Sequence, residues 1–234
     1  MIEVTCFEDF GHQDHGWLKA CHHFSFASYY DPNRMGFGPL RVWNDDHIKA
    51  ETGFPPHPHK DMEIVTYVRR GAVSHEDSLG NKGRTEAGQV QVMSAGTGIR
   101  HSEFNLDKED LDLFQIWVEP NEVGHQPRWD TRTFDRDQIS NGFVTLVSGR
   151  DGREHDDALF IHQDAAFSAA VMGEGETLDL QIEPGRRAYI VPARGDIEVN
   201  GVFVPERGSA AISEETQMSV KALNDVEVVM FDLP

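Results

Sequence analysis

Residues 53–71 of the chain read GFPPHPHKDMEIVTYVRRG, and this stretch decides the fold. Its second half, 63–69 (EIVTYVR), has the β-branched and aromatic residues of a buried strand. Its first half holds His57 and His59 on either side of Pro58. Proline favours extended backbone and lacks an amide hydrogen, so this half fits the start of a strand or an edge strand, where both histidines would project to one face. The pair is either half of a metal site or two polar residues at the mouth of a loop, and the H-x-H motif alone does not decide.

Short segments with the alternation of β-strands dominate the rest of the chain. Turn residues separate them, for example Pro184-Gly185 and Asn200-Gly201. Many short strands at this spacing predict an all-β sandwich, barrel or jelly roll. The predicted strands are 63–69, 89–93, 112–118, 143–148, 158–162, 178–182, 187–191, 196–199, 209–212 and 226–231.

The chain divides into two strand-rich halves that resemble each other. The polar stretch 119–141 has the composition of a connector. VRRG at 68–71 and PARG at 192–195 each end a predicted strand, and each half later has a glutamate before a short strand. The economical interpretation is two small barrels from an old duplication. We place the domains at 1–125 and 126–234.

Charge and cysteine content exclude several classes of function. The formal net charge is −19, which disfavours nucleic acid and anionic membrane surfaces as partners. The two cysteines, Cys6 and Cys21, exclude a disulfide scaffold and suit a reducing cytosol. No basic n-region precedes an apolar run near residue 1, and no stretch approaches the roughly 18 apolar residues of a membrane span. We therefore expect a cytoplasmic protein, and we expect it to be a monomer.

A second pair of candidate ligands lies in SAGTGIRHSEFN, residues 94–105. A glycine turn leads into His101 and Glu103, again two residues apart. Facing His57 and His59 across a barrel, they would present three imidazoles and one carboxylate. This set suits Fe, Mn, Co, Ni, Cu or Zn and leaves two octahedral positions open for dioxygen and a chelating substrate. The alternative is four polar residues at strand ends, but two such pairs together favour one metal site.

Both motifs resemble the two conserved motifs of the cupin superfamily. Three segments of the sequence resemble those of the pirin family, and most closely those of the bacterial pirin-like quercetin 2,3-dioxygenases. They are GFPPHPHKDMEIVTYVRRG, SHEDSLGNKG and MSAGTGIRHSEFN. The resemblance implies a bicupin, two double-stranded β-helix barrels packed face to face. It implies a mononuclear metal, usually iron as Fe(II), held in the N-terminal domain by His57, His59, His101 and Glu103. It also implies cleavage of a flavonol such as quercetin by dioxygen, with ring opening and release of carbon monoxide.

The glutamate ligand is the point where the family pattern leaves a choice. Generic cupins take it from the first motif, where this chain has Glu63. Glu63 would share the strand parity of His57 and His59, but four residues of strand is about 13 Å, so it could coordinate only across a bulge or bend. We therefore assign Glu103 to the metal and expect Glu63 to orient a ligand imidazole. Either glutamate could be the general base that takes the flavonol 3-hydroxyl proton.

Other histidines are expected to be structural, and the second half is expected to be metal-free. We expect His22 and His23 to pack near the barrel and His75 to be solvated or hydrogen-bonded. Aligning the two halves puts Gln181 and Glu183 where the H-x-H would be, and Lys221 and Leu223 where His101 and Glu103 would be. An alternative function is a metal-loaded, redox-sensing pirin-type regulator that binds a protein partner, because fold and motif do not fix function.

Overall fold

The computed structural model describes residues 1–134, 139–140, 142–150 and 157–234. It divides into two compact units. The N-terminal unit is Gly11–Phe134 with Leu159–Gln163, and the C-terminal unit is Met1–Phe10, Asp135–Ala158 and Asp164–Pro234. The boundary after residue 125 remains the sequence-based expectation.

Strands account for most of both units. The first twelve strands are β1 (Ile2–Thr5), β2 (Gly11–Asp14), β3 (Leu18–His22), β4 (Leu40–Ile48), β5 (Gly53–His59), β6 (Glu63–Arg70), β7 (Ala72–Asp77), β8 (Lys82–Glu86), β9 (Gln89–Ser94), β10 (Ile99–Phe104), β11 (Leu111–Val118) and β12 (Arg128–Thr133). The others are β13 (Val144–Ser148), β14 (Leu159–Phe160), β15 (Ala166–Met172), β16 (Thr177–Gln181), β17 (Arg187–Arg194), β18 (Ile197–Val199), β19 (Val202–Val204), β20 (Ser209–Ile212), β21 (Gln217–Ala222) and β22 (Val226–Leu233). A 3₁₀ helix covers Phe7–Asp9. No helix in the described part of the chain is long and apolar enough to cross a membrane.

Each unit pairs a larger sheet with a four-stranded one, and the strand orders correspond. In the N-terminal unit the sheets run β12-β9-β6-β11-β4-β3-β2 and β5-β10-β7-β8. In the C-terminal unit they run β1-β20-β17-β22-β15-β13 and β16-β21-β18-β19. The same order in both units supports the duplication, and the predicted all-β bicupin fold is confirmed.

Two glycines mark the equivalent turns of the two units. Gly71 follows β6 with φ of 77°, and Gly195 follows β17 with φ of 76°. A side chain is strained at these positive φ values. A Cβ on Gly71 would also lie 3.0 Å from the carbonyl oxygen of Asp110. The backbone conformation of the two turns therefore explains why both halves of the sequence have glycine at this position.

A cluster of buried apolar side chains forms part of the core of the N-terminal unit. β6 and β11 are buried over most of their length, which explains why their apolar runs were readable from sequence. The cluster comprises Leu18, Ala20, Ile48, Val68, Val73, Leu111 and Leu113, with Trp17 and Phe54 packed against it. Each large side chain buried here contributes about 1.5–3 kcal/mol relative to its exposed state.

Strand β5 is the edge of its sheet, as its prolines predicted. It pairs antiparallel with β10, so that His57 lies opposite His101 and His59 lies opposite Ile99. The register then shifts, and Glu103 lies opposite Phe54. Proline cannot complete a regular ladder, and the chain has Pro55 and Pro56 at this irregularity. The two sequence pairs are thus brought onto neighbouring strands.

The connector predicted at 119–141 contains a strand that the sequence analysis missed. Arg128–Thr133 forms β12, which pairs with β9 along the edge of the larger sheet. Its residues are half-buried or exposed and mostly polar, so the segment lacks the apolar alternation of a strand. Residues 135–138 and 141 of that stretch lie outside the described residues.

Candidate metal centre

Three imidazole rings converge at the edge of the four-stranded sheet. The ring centroids of His57 and His59 are 4.8 Å apart, those of His57 and His101 are 4.5 Å apart, and those of His59 and His101 are 4.9 Å apart. One nitrogen from each ring lies within 4.8 Å of the other two. The three histidines can therefore direct lone pairs to one point.

Hydrogen bonds fix which nitrogen of His57 carries the proton. Its Nδ1 lies 2.9 Å from the carbonyl oxygen of Pro55, which can only accept a hydrogen bond. Nδ1 therefore donates, and Nε2 of neutral His57 keeps its lone pair. This is the arrangement that a metal-ligating histidine needs.

His101 is oriented by a buried chain of two further side chains. His75 Nε2 lies 3.1 Å from Asp77 Oδ2, and His75 Nδ1 lies 3.4 Å from His101 Nδ1. The carboxylate accepts from His75 Nε2, which leaves Nδ1 of neutral His75 to accept from His101 Nδ1. His101 Nε2 then carries a lone pair, and it is buried without a hydrogen-bond partner among the described residues. Of the two states expected for His75, solvated or hydrogen-bonded, the structure has the hydrogen-bonded one, and the ring is buried.

Burial keeps two of these imidazoles neutral. It lowers the pKa of His59 to about 4, with the neighbouring His101 and His57 acting in the same direction. It lowers the pKa of His101 to about 3, with His57 and His75 adding to the effect. Neutral imidazole is the form that binds a metal, so protons do not compete with a cation here near pH 7.

Glu103 lies beside His101 and is clamped by two glutamine amides. Gln91 Nε2 donates to its Oε1 at 2.6 Å, and Gln115 Nε2 donates to its Oε2 at 2.8 Å. An oxygen of Glu103 also groups with nitrogens of His75 and His101 within 4.8 Å. Both glutamines are buried and come from the larger sheet, so they fix the carboxylate against the opposite wall.

Glu63 lies away from the three imidazoles. Ser94 Oγ donates to its Oε2 at 2.7 Å, and its nearby ionisable neighbours are Arg128 and His125. Burial raises the pKa of Glu63, against the hydrogen bonds from Ser94 and from the backbone of His162. The expectation that Glu63 shares a strand face with His57 and His59 is wrong, because β5 ends at His59 and Glu63 begins β6, a strand of the other sheet. Asp61, at φ of 46°, lies in the turn between them.

The ligand candidates open onto a cavity between the two sheets of the N-terminal unit. Its empty space is about 610 Å³, a volume that includes open solvent at its mouth. Its apolar wall includes Leu18, Ala20, Phe26, Phe54 and Trp117. The rings of His59 and Trp117 meet edge to face at 4.8 Å.

Several polar residues of this cavity were missed by sequence reasoning. They are Asn44, Asp46 and Gln115, all on the larger sheet, and His22, which the sequence predicts to be a packing residue. Gln115 in DLFQIWV and Gln91 in QVQVM are amides within apolar strands. That signal, a polar side chain where the pattern calls for an apolar one, could have identified them.

The donor set fits one transition-metal ion. The orphaned, buried Nε2 of His101 requires a partner that the described residues do not supply. Three imidazoles with an adjacent carboxylate match the nitrogen and oxygen ligands of Fe, Mn, Co, Ni, Cu and Zn. We infer that the histidine cluster is a metal site.

Comparison with known proteins agrees with this geometry. The Pirin family matches residues 4–118, and the quercetinase C-terminal cupin domain matches residues 146–233. A pirin-like protein of Caulobacter vibrioides is 54% identical over 99% of both chains. The quercetin 2,3-dioxygenase of Escherichia coli K12 is 47% identical, over 100% of this chain and 99% of its own.

The chain belongs to the pirin family. A crystal structure of the bacterial pirin YhhW from Escherichia coli, in complex with nickel(II), has a TM-score of 0.93 and 46% identity over 100% of this chain and 99% of its own. The described residues of this pirin thus have the family fold.

The C-terminal unit of this pirin has different residues at the corresponding strands. β16 and β21 take the places of β5 and β10, and they pair Asp179 with Ser219 and Gln181 with Gln217. Within the described residues, both groups of three or more possible metal ligands lie in the N-terminal unit.

Proposed function

We propose that this pirin is a metal-dependent dioxygenase that cleaves flavonols such as quercetin. The observation that carries the proposal is the convergence of three imidazoles at a largely apolar cavity that Glu103 also lines. The names of the relatives support the same substrate class. One dioxygen would be consumed and one carbon monoxide released for each flavonol whose central ring is opened.

The proposed metal ligands are His57, His59, His101 and Glu103. His57 and His101 would bind through Nε2, since Nδ1 of each is engaged in a hydrogen bond. A bound metal supplies Lewis acidity, which lowers the pKa of a coordinated hydroxyl. We propose Fe(II) as the resident ion, and the other ions that this donor set suits are separated from it by elemental analysis.

Glu103 is also the proposed general base. Its carboxylate lines the cavity, whereas Glu63 is not among the residues that line it. The amides of Gln91 and Gln115 orient both carboxylate oxygens, and Glu103 would shift off the metal to take the 3-hydroxyl proton of a flavonol. The role proposed for Glu63 is structural, as the acceptor for Ser94 at the start of β6.

The aromatic wall would position the flavonol and exclude water. Phe26 and Trp117 meet edge to face at 5.4 Å, and Trp117 in turn contacts His59. Flat aromatic ligands gain both buried area and ring contacts from such a wall. A dry wall beside the ligands also strengthens the electrostatic effect of Glu103 on the bound hydroxyl.

The test is aerobic incubation of metal-reconstituted protein with quercetin, followed by oxygen uptake and carbon monoxide release. We expect equal molar amounts of both, and loss of both in His57→Ala. His47→Ala is the matched control, because His47 pairs with Asp112 and is not among the residues lining the cavity. Metal-loaded protein that consumes no oxygen with quercetin would contradict the proposal and favour the regulatory alternative.

A further inference from the structure

Two side chains of β3 and β4 that line the cavity each have a polar atom without a hydrogen-bond partner among the described residues. Four buried side-chain atoms of cavity-lining residues lack a hydrogen-bond partner among the described residues: His101 Nε2, Trp117 Nε1, His22 Nε2 and Asp46 Oδ1. The proposed metal accounts for the first. His22 and Asp46 belong to β3 and β4, on the sheet across from the strands that carry the histidine cluster.

Asp46 is a buried acid without the cation that such a residue usually has. Its exposed fraction is 3%. The nearest guanidinium, that of Arg69, pairs with the neighbouring Asp45 instead. Burial raises the pKa of Asp46 well above its usual range, and the charges of Asp45 and Glu103 act in the same direction. In either protonation state, a carboxyl oxygen can accept a hydrogen bond from a hydroxyl group.

His22 supplies a second acceptor close to Asp46. Its exposed fraction is also 3%, and its Nδ1 lies 2.8 Å from Asn44 Oδ1. Because the amide oxygen accepts, Nδ1 donates and Nε2 keeps its lone pair. Burial lowers the pKa of His22, so the neutral ring is favoured.

The two side chains are diagonal neighbours on one face of the sheet. His22 lies opposite Asn44, and Ala20 lies opposite Asp46. Diagonal positions on adjacent strands are about 7–8 Å apart between Cα atoms, which lies within reach of one ring that bears two hydroxyl groups. Unsatisfied buried polar groups cost stability, so a native protein retains them where a ligand completes them.

We propose that Asp46 and His22 bind ring hydroxyl groups of the substrate, remote from the group that meets the metal. This inference rests on the proposed function and deepens it by naming the preferred substrates as polyhydroxylated aromatic compounds. A phenolic hydroxyl donates to His22 Nε2, and a second hydroxyl exchanges a hydrogen bond with the Asp46 carboxyl. The subsite therefore selects for hydroxyl number and not for ring shape.

The experiment compares two flavonols that differ only in remote hydroxyls. Quercetin and 3-hydroxyflavone share the chelating hydroxyl and carbonyl, but 3-hydroxyflavone has no other hydroxyl. Binding is measured without oxygen to the metal-loaded protein, in wild type, Asp46→Leu, His22→Leu and the conservative Asp46→Asn. Asp130→Asn is the control, since Asp130 is exposed and is not among the residues lining the cavity.

Wild type should prefer quercetin by about 10-fold or more, as expected for loss of hydrogen bonds to buried groups. In each leucine variant the preference should fall to about 3-fold or less, through weaker quercetin binding alone. Asp46→Asn should retain most of the preference for quercetin, because an amide group also donates and accepts hydrogen bonds. A wild type without preference, or leucine variants that keep it, would overturn the inference.

A second readout does not depend on flavonols. Asp46→Leu removes an unpartnered polar atom from the ligand-free protein, so its Tm should rise above that of wild type. A lower Tm for Asp46→Leu would make Asp46 a structural residue and overturn the inference.

The two proposals fail in different ways. If wild type discriminates between the flavonols but consumes no oxygen, the proposed reaction is wrong and the hydroxyl subsite stands. If wild type and the leucine variants cleave both flavonols equally well, the reaction stands and the subsite is wrong.

Discussion

The Nδ1 atoms of His75 and His101 lie 3.4 Å apart in the interior of the N-terminal unit. His75 is held from its other side by Asp77 and stacks on Trp129 with ring centroids 4.9 Å apart and an interplanar angle of 10°. Neither neighbour leaves His75 free to rotate. The tautomer of His101 is thus set by residues that do not touch the proposed metal.

The first prediction concerns this chain of side chains. His75→Ala removes the acceptor for His101 Nδ1, and the ring can then turn or adopt the wrong tautomer. Metal affinity should fall by about 10–100-fold, the range typical of contacts one step away from a metal. A metal titration of the purified variant measures this, with the exposed His12→Ala as control. Equal affinities in the two variants would show that His75 does not position His101.

The second prediction concerns the amide clamp on Glu103. Gln115→Leu leaves Glu103 Oε2 without its donor in a buried setting. The free energy of unfolding of the metal-free protein should fall by roughly 1–3 kcal/mol. Reconstitution with metal should recover part of the loss, because the cation stabilises the carboxylate. Denaturant titrations with and without metal test this, with the exposed Gln126→Leu as control, and an equal loss in both states would contradict the clamp.

The third prediction is a pH dependence from Glu63. Burial raises its pKa in the folded protein above the usual 4.5, so the folded state binds the proton more tightly than the unfolded state does. Its contribution to stability is therefore complete below about pH 4.5 and is lost as pH rises through the folded pKa. Glu63→Gln has no such titration. The Tm of the variant minus that of wild type should increase from pH 4.5 to neutral pH, and a flat or falling difference would contradict a raised pKa.

Much of the fold was readable because the strands are regular and apolar. Each of the ten predicted strand segments overlaps a strand of the structure. The edge position of β5 followed from Pro58, since a residue without an amide hydrogen suits an edge. By contrast, β12 is polar and half-exposed, so it gave no alternation to detect.

The candidate site was only partly predictable, for a physical reason. Residue spacing predicts which side chains of one strand share a face. It therefore identified the pair His57 and His59 and the pair His101 and Glu103. Spacing fails where the chain turns, as between His59 and Glu63. It also cannot show which distant side chains fill a shared cavity, so the amides on Glu103 and the pair of Asp46 and His22 emerged only from the sheet order.

The most direct test of the account is one metal titration of Glu103→Gln beside Glu63→Gln, its matched control. Both changes keep the shape of the side chain and remove its charge. Wild type should bind one metal ion per chain. Glu103→Gln should reduce metal affinity by more than the roughly 10–100-fold loss that is typical of residues that contact a ligand and not the metal. The reason is that the substitution replaces an anionic ligand by a neutral one. Glu63→Gln should bind nearly as wild type does, since Glu63 bonds to Ser94 and does not line the cavity. Intact binding by Glu103→Gln together with lost binding by Glu63→Gln would reverse the assignment and contradict the proposed centre.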